Sequence, residues 1–165
     1  MGVGQTSHFL AQDLQARLFR MGLHTSIYTD VYLQLVAAST LSPGDAAVAI
    51  SFVGRSSELH ETVAMVHKRG AKMIAITCSG TPLALSADIV LAVDVPADVT
   101  MPVGTDAYIA QMLVIEVLSI LVGRARGPKC IDRLEQIHRL MQEKVRNHDQ
   151  TSVVYWGWQS PSVAS

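Results

Sequence analysis

Cysteine, aromatic residues and charge are all scarce in this 165-residue chain, and each scarcity removes a class of protein. The two cysteines, Cys78 and Cys130, lie far apart and make no CxxC pair. They exclude a disulfide framework and read as reduced thiols in a cytoplasmic protein. The six histidines show no HExxH or similar ligand spacing, so no metal and no cofactor is expected. Lys and Arg number 13 against 14 Asp and Glu, which leaves out the electrostatic footprint of a nucleic-acid binder. Met1 is followed by glycines and polar residues, not by the basic and then apolar stretch of a signal peptide. The longest apolar stretch, Ile109–Val122, contains Gln111 and Glu116 and reads as too short to span a bilayer, so no membrane is expected as a partner. Internal repeats and low-complexity tracts are absent as well.

What is present is a hydrophobic fraction of 49% against a charged fraction of 16%, the balance of a well-buried core in one domain. Strand-like and helix-like segments alternate, the pattern of a parallel sheet wrapped by helices. Thr6 or Ser7 is placed to cap a first helix running to Met21. Strands are expected at His24–Thr29, Ala46–Ser51, Lys72–Thr77 and Ile89–Val93. Asp30 caps a helix through about Ala38, and Thr81-Pro82-Leu83-Ala84 starts a short helical turn. Thr105–Val122 and Ile131–Arg146 read as helices, the first apolar nearly all round and therefore buried on more than one side. The expected architecture is an α/β three-layer sandwich, with residues 1–148 as the domain and 149–165 as a loosely ordered tail holding Tyr155, Trp156 and Trp158.

The densest signal is the apolar run Ala46–Ile50 leading into Ser51-Phe52-Val53-Gly54-Arg55-Ser56-Ser57 and then a helix. An unbroken apolar run reads as a strand buried on both faces. A Ser/Gly loop between such a strand and a helix leaves N–H groups and hydroxyls free at the helix's positive end, where an anion such as phosphate binds. A second loop of this kind, Gly2-Val3-Gly4-Gln5-Thr6-Ser7, opens the chain with no strand before it. Ligands of open parallel sheets sit at the carboxyl ends of the strands, so the two loops can face one crevice. Each loop alone is also compatible with a tight turn and ordinary helix caps.

Single residues admit two readings each. Arg55 can pair with a phosphate or be a solvated surface arginine. Glu116, the only charge between Ile109 and Val122, can touch a ligand, accept a proton or pair with an arginine at a helix contact. His60 lies near the second loop and is either an acid–base group or a helix-surface histidine. Asp88 reads as a structural bracket for the next strand. Gly2-x-Gly4 with Asp30 mimics a dinucleotide fingerprint, but Ser7 replaces its third glycine, and it leaves Ser51–Ser57 unexplained.

The runs GDAAVAISFVGRSSEL, HKRGAKMIAIT and TPLALSADIVL resemble, in this order, the SIS (sugar isomerase) domain as it occurs in RpiR-type bacterial transcription regulators. GVGQTSHFLAQDLQARLFRMG is similar to that family's first loop and helix, and AYIAQMLVIEVL to its late helix. The resemblance spans about residues 2–146. It implies a Rossmann-like, flavodoxin-like fold, a phosphorylated sugar as ligand, a homodimer, and no catalytic residue. By position, Thr6 takes the first loop's hydroxyl. Ser51, Gly54 and Ser56 match the S-x-S-G-x-[ST] loop, and Thr81 the Ser of an S-P-L-A turn. With their neighbours, the implied ligand contacts are Gly4, Thr6, Ser7, Ser51, Gly54, Arg55, Ser56, Ser57 and Thr81. Val53 stands where a Ser or Thr is usual and removes one hydroxyl. The family's first strand and the helix-turn-helix domain through which such regulators reach DNA are both missing, so the chain is expected to be a truncated form or fragment of a longer regulator, its sensor part, the alternative being a standalone SIS protein with a misassigned start. The alternative function is a phosphosugar aldose–ketose isomerase, for which only Glu58, His60 and Glu116 could move a proton.

Overall fold

A computed structural model of the protein describes residues 5–96 and 105–147. Its elements are α1 (Gln5–Arg20), α2 (Val31–Ser39), β1 (Ala46–Ile50), α3 (Ser57–Lys68), β2 (Lys72–Thr77), α4 (Pro82–Ser86), β3 (Ile89–Ala92), α5 (Thr105–Arg126) and α6 (Pro128–Asn147). The sheet is parallel with the order β1-β2-β3. Ala46 to Ile50 lie opposite Lys72 to Ile76, and Ile74 to Thr77 lie opposite Ile89 to Ala92.

Period-two alternation sends neighbouring side chains to opposite faces of this sheet. Ala49, Met73 and Ala75 meet Leu59, Val63 and Val66 of α3, Leu83 of α4 and Ala38 of α2. Ile50, Ile76 and Val93 meet Leu10, Ala11 and Leu14 of α1 and Ile115 of α5. Helices on both faces make the expected three layers. Burying each large aliphatic side chain contributes about 1.5–3 kcal/mol.

Local signals set several boundaries. Asp30 caps α2, its carboxylate accepting from Leu33 N at 2.9 Å. That is a structural role for the residue that mimicked a ribose-binding acid. Asp88 brackets β3, accepting from Met73 N at 2.8 Å and Lys72 Nζ at 2.7 Å. These bonds, Lys72's first, hold its pKa down at about 2.

Four expectations are corrected. His24–Thr29 is not a strand of the sheet. Its backbone is engaged by helix side chains instead: Gln15 Nε2 donates to Thr25 O at 3.3 Å and Gln34 Nε2 to Tyr28 O at 3.0 Å. Thr6 and Ser7 do not cap α1, because the helix already includes Gln5. β1 is buried only at Ala49 and Ile50, since it and β3 are the outer strands around β2. Finally, α5 is longer than its apolar run, and 22 residues suffice by length and composition to cross a bilayer. Its buried line of Ala107, Gln111, Ile115 and Ser119 packs within this protein, with Gln111 Nε2 donating to Ile76 O of β2 at 3.4 Å.

Candidate functional site

Three connections leave the carboxyl ends of the strands: 51–56 after β1, 78–81 after β2, and the chain beyond Ala92 after β3. The first is built as a rigid shelf. Ser51 N donates to Ile76 O at 3.1 Å, extending the ladder one residue past β1. Cys78 N and Thr77 Oγ1 both donate to Phe52 O, at 3.2 and 3.3 Å. Gly54 N donates to Ser51 Oγ at 3.2 Å, and Leu83 N to Gly54 O at 3.1 Å. Gly54 has φ +58°, and a Cβ there would lie 2.9 Å from Leu83 Cβ, Thr77 Oγ1 and Thr81 Oγ1. Only glycine gives both that left-handed backbone and that close approach.

The shelf ends at the amino terminus of α3. Ser56 is its N-cap, its hydroxyl oxygen accepting from Leu59 N at 3.4 Å. The same hydroxyl donates to Glu58 Oε2 at 2.6 Å, and Ser57 Oγ donates to that oxygen at 3.1 Å. The Ser56 bond first, then one from Glu58's own backbone N–H and then the Ser57 bond hold the Glu58 carboxyl below its ordinary range. Arg55 is exposed beside them, with no ion pair among the described residues.

The expected site residues therefore divide. Ser51, Gly54, Arg55, Ser56 and Ser57 form one continuous loop. Thr81 lies behind it, its hydroxyl 3.1 Å from Thr77 Oγ1, accepting from Ala84 N at 3.2 Å as the α4 cap and donating to Cys78 O at 2.9 Å. Thr81 thus supports the shelf. Thr6 is exposed and Ser7 buried, both within the first turn of α1. Leu10 and Ala11 of that helix share an apolar cluster with Phe52 of the shelf. Gly4 and the boundary at 148 lie outside the described residues. Val53, at the departure from the S-x-S-G pattern, is 57% exposed.

Of the other possible proton-moving groups, Glu116 is engaged at a contact between two helices and His60 follows the cap on α3. Glu116 accepts from Arg17 Nη1 between α5 and α1, and Arg17 also donates to Asp13 at 2.7 Å. Burial opposes the Arg17 charge, but these two carboxylates outweigh it and raise its pKa. This is the arginine-pair reading of Glu116. His60 is half-buried on α3, one turn past the cap.

Three features had no signal in the sequence. Thr77 and Leu83 hold Phe52 and Gly54 from 25 and 29 residues away. Asp94, just past β3, accepts from Cys78 Sγ at 3.0 Å, Ser79 N at 2.8 Å and Ser79 Oγ at 2.5 Å, tying the β2 and β3 exits together. The Cys78 bond is the main cause holding Asp94 below its ordinary pKa, and in return Asp94 raises that of the thiol.

Residues 1–121 match the SIS domain family. The chain is similar to the bifunctional protein glk of Paraburkholderia xenovorans, 34% identical over 155 residues, covering 94% of this chain and 24% of that protein. It is similar to the HTH-type transcriptional regulator HexR of Escherichia coli, 32% identical over 142 residues, covering 86% of this chain and 49% of the regulator. Among solved structures, Vibrio vulnificus NanR complexed with ManNAc-6P superposes with a TM-score of 0.74 at 22% identity, over 90% of this chain and 55% of NanR. The sugar isomerase domain of an RpiR transcription factor from Sphaerobacter thermophilus gives 0.70 at 21% identity, over 84% and 75%. The chain spans about half the length of the regulator HexR and about a quarter of that of the glk protein.

Proposed function

The chain belongs to the SIS domain family, and from that premise we propose that it binds a phosphorylated sugar as the sensor domain of an RpiR-type transcription regulator. The observation that carries the reading is the shelf Ser51–Ser57. It brings hydroxyls, the Gly54 backbone and Arg55 to the positive end of the 12-residue helix α3. Phosphate oxygens accept hydrogen bonds, and the serine hydroxyls and Arg55 are the groups that can donate them, while the Gly54 N–H is engaged by Ser51 Oγ and its carbonyl by Leu83 N. Ser51 Oγ accepts from Gly54 N and keeps its own proton to give. The bound ManNAc-6P in NanR and the regulator HexR favour the same ligand class and the same sensory role. The sugar body would lie over the shelf toward exposed Val53, where an apolar side chain favours a carbon–hydrogen face over a hydroxyl. DNA would be reached through a further helix-turn-helix domain, and such a sensor works in the cytoplasm.

A homodimer fits the same reading. Ile109, Leu113, Val117, Ile120 and Leu121 form an exposed apolar stripe along α5, too long to be left in water in the working protein. The isomerase alternative retains Glu58 near the shelf, but Glu116 is engaged by Arg17.

The experiment is a calorimetric titration with a panel of hexose 6-phosphates and the matching unphosphorylated sugars, followed by NMR of the mixtures. Saturable binding of a phosphorylated sugar with no aldose–ketose conversion is expected. Conversion would establish the isomerase, and absence of binding across the panel would remove the sensor reading.

A further inference from the structure

The hydroxyls that would hold a phosphate are already engaged, by a group of like charge. A serine hydroxyl has one proton to donate. That of Ser56 goes to Glu58 Oε2 at 2.6 Å, and that of Ser57 goes to the same oxygen at 3.1 Å. Glu58 lies at the second position of α3, where the helix's partial positive charge favours an anion. The carboxylate therefore takes from the shelf what a phosphate would take: two hydroxyl protons and the field of the helix end. A phosphate dianion accepts hydrogen bonds only, so it and Glu58 cannot use these two protons at once.

We propose that Glu58 is a built-in competitor for the anion site, displaced from Ser56 and Ser57 when a phosphorylated ligand binds. The inference rests on the sensor reading above and deepens it. Glu58 is exposed and its carboxylate is held by Ser56, by its own backbone N–H and by Ser57, with no bond to another element, so rotation about its own side-chain bonds frees both hydroxyls without moving the backbone. Its charge persists at neutral pH, because the bonds from Ser56 and Ser57 favour the ionised form. Arg55, exposed and with no ion pair among the described residues, is placed to take the incoming dianion. The competitor sets a threshold for the sensor. A small anion that offers only its own oxygens exchanges one set of hydrogen bonds for another and still meets Glu58's charge. A sugar phosphate adds the contacts of its sugar body and wins the exchange.

The test compares wild-type protein with Glu58→Gln, titrated with inorganic phosphate, with the hexose 6-phosphate that binds best, and with the unphosphorylated hexose. Like charges a few ångströms apart repel even in water, so removing Glu58's charge is expected to tighten both phosphates about fivefold. The relative gain is expected to be larger for inorganic phosphate, and the neutral hexose is expected not to change. Glu58→Ala serves as a second variant, with circular dichroism confirming that each is folded. Equal or weaker phosphate binding by both variants overturns the competitor while leaving the site in place. A uniform gain that includes the neutral hexose also overturns it, because charge would not be the cause. Failure of every protein to bind either phosphate overturns the site itself, and the competitor with it.

Discussion

Replacing Gly54 by Ala tests the shelf where its geometry is tightest. The residue needs a left-handed backbone at φ +58°, and the new Cβ would meet three atoms at 2.9 Å. The left-handed conformation costs a non-glycine residue about 1–2 kcal/mol. Stiffening of the unfolded chain offsets about 0.4–1 kcal/mol of this. The overpacking adds about 1–3 kcal/mol, because Thr77 and Leu83 are fully buried and cannot withdraw. Gly54→Ala is therefore expected to lose about 2–4 kcal/mol. Gly80 is the matched control, with φ +68° and nothing within 4 Å of its Cβ position, so Gly80→Ala should lose only about 1 kcal/mol. At roughly 2–4 °C per kcal/mol for a chain of this size, melting followed by circular dichroism should fall by about 4–16 °C for the first and about 2–4 °C for the second. Relief of the clash would push the shelf off Leu83 and weaken phosphosugar binding in the Gly54 variant alone. Two variants that melt alike and bind alike would mean that the shelf is not packed as described.

Asp88 gives a pH-dependent prediction. Its folded pKa of about 2 is below the roughly 3.9 of an unfolded aspartate, so its contribution is present above about pH 4 and lost as pH falls through about 2. The stability advantage of wild type over Asp88→Asn in urea unfolding should shrink across that window, and an advantage that stays constant from about pH 5 to pH 2 would refute the Lys72 and Met73 bonds as its source. The apolar stripe on α5 predicts a dimer by light scattering at micromolar concentration and a monomer for Leu113→Asp. A monomeric wild type would refute it.

What could be read from the sequence was what neighbouring residues decide. The Asp30 cap, the Thr81-Pro82 start of α4 and strand β2 rest on signals a few residues long, and the structure has them at those places. The S-x-x-G-x-S spacing from Ser51 to Ser56 was legible because one loop contains all of it. His24–Thr29 failed because composition alone does not make a strand; a strand also needs a partner in the ladder, and helix side chains took its backbone groups instead. Glu116 could not be resolved between a ligand contact and an ion pair, because its partner Arg17 is 99 residues away. The supports of the shelf at Thr77 and Leu83, and the Asp94 clasp on Cys78 and Ser79, arise from the parallel packing and leave no local pattern. Glu58 was visible as a carboxylate at a helix start that could move a proton; its hold on two hydroxyls needed the folded loop.

The central claim, that the Ser51–Ser57 shelf binds the phosphate of a sugar, is tested most directly by Ser56→Ala. A hydrogen bond to a charged group is worth about 1.5–3 kcal/mol, so with Glu58 also replaced by Ala, which ends its claim on the Ser56 proton, calorimetry should find hexose 6-phosphate binding weakened about tenfold or more by Ser56→Ala. Lost capping costs about 1 kcal/mol of stability, which a melting curve separates from the binding loss. Unchanged affinity when Ser56→Ala is added to a folded Glu58→Ala protein would place the phosphate somewhere else and contradict the account.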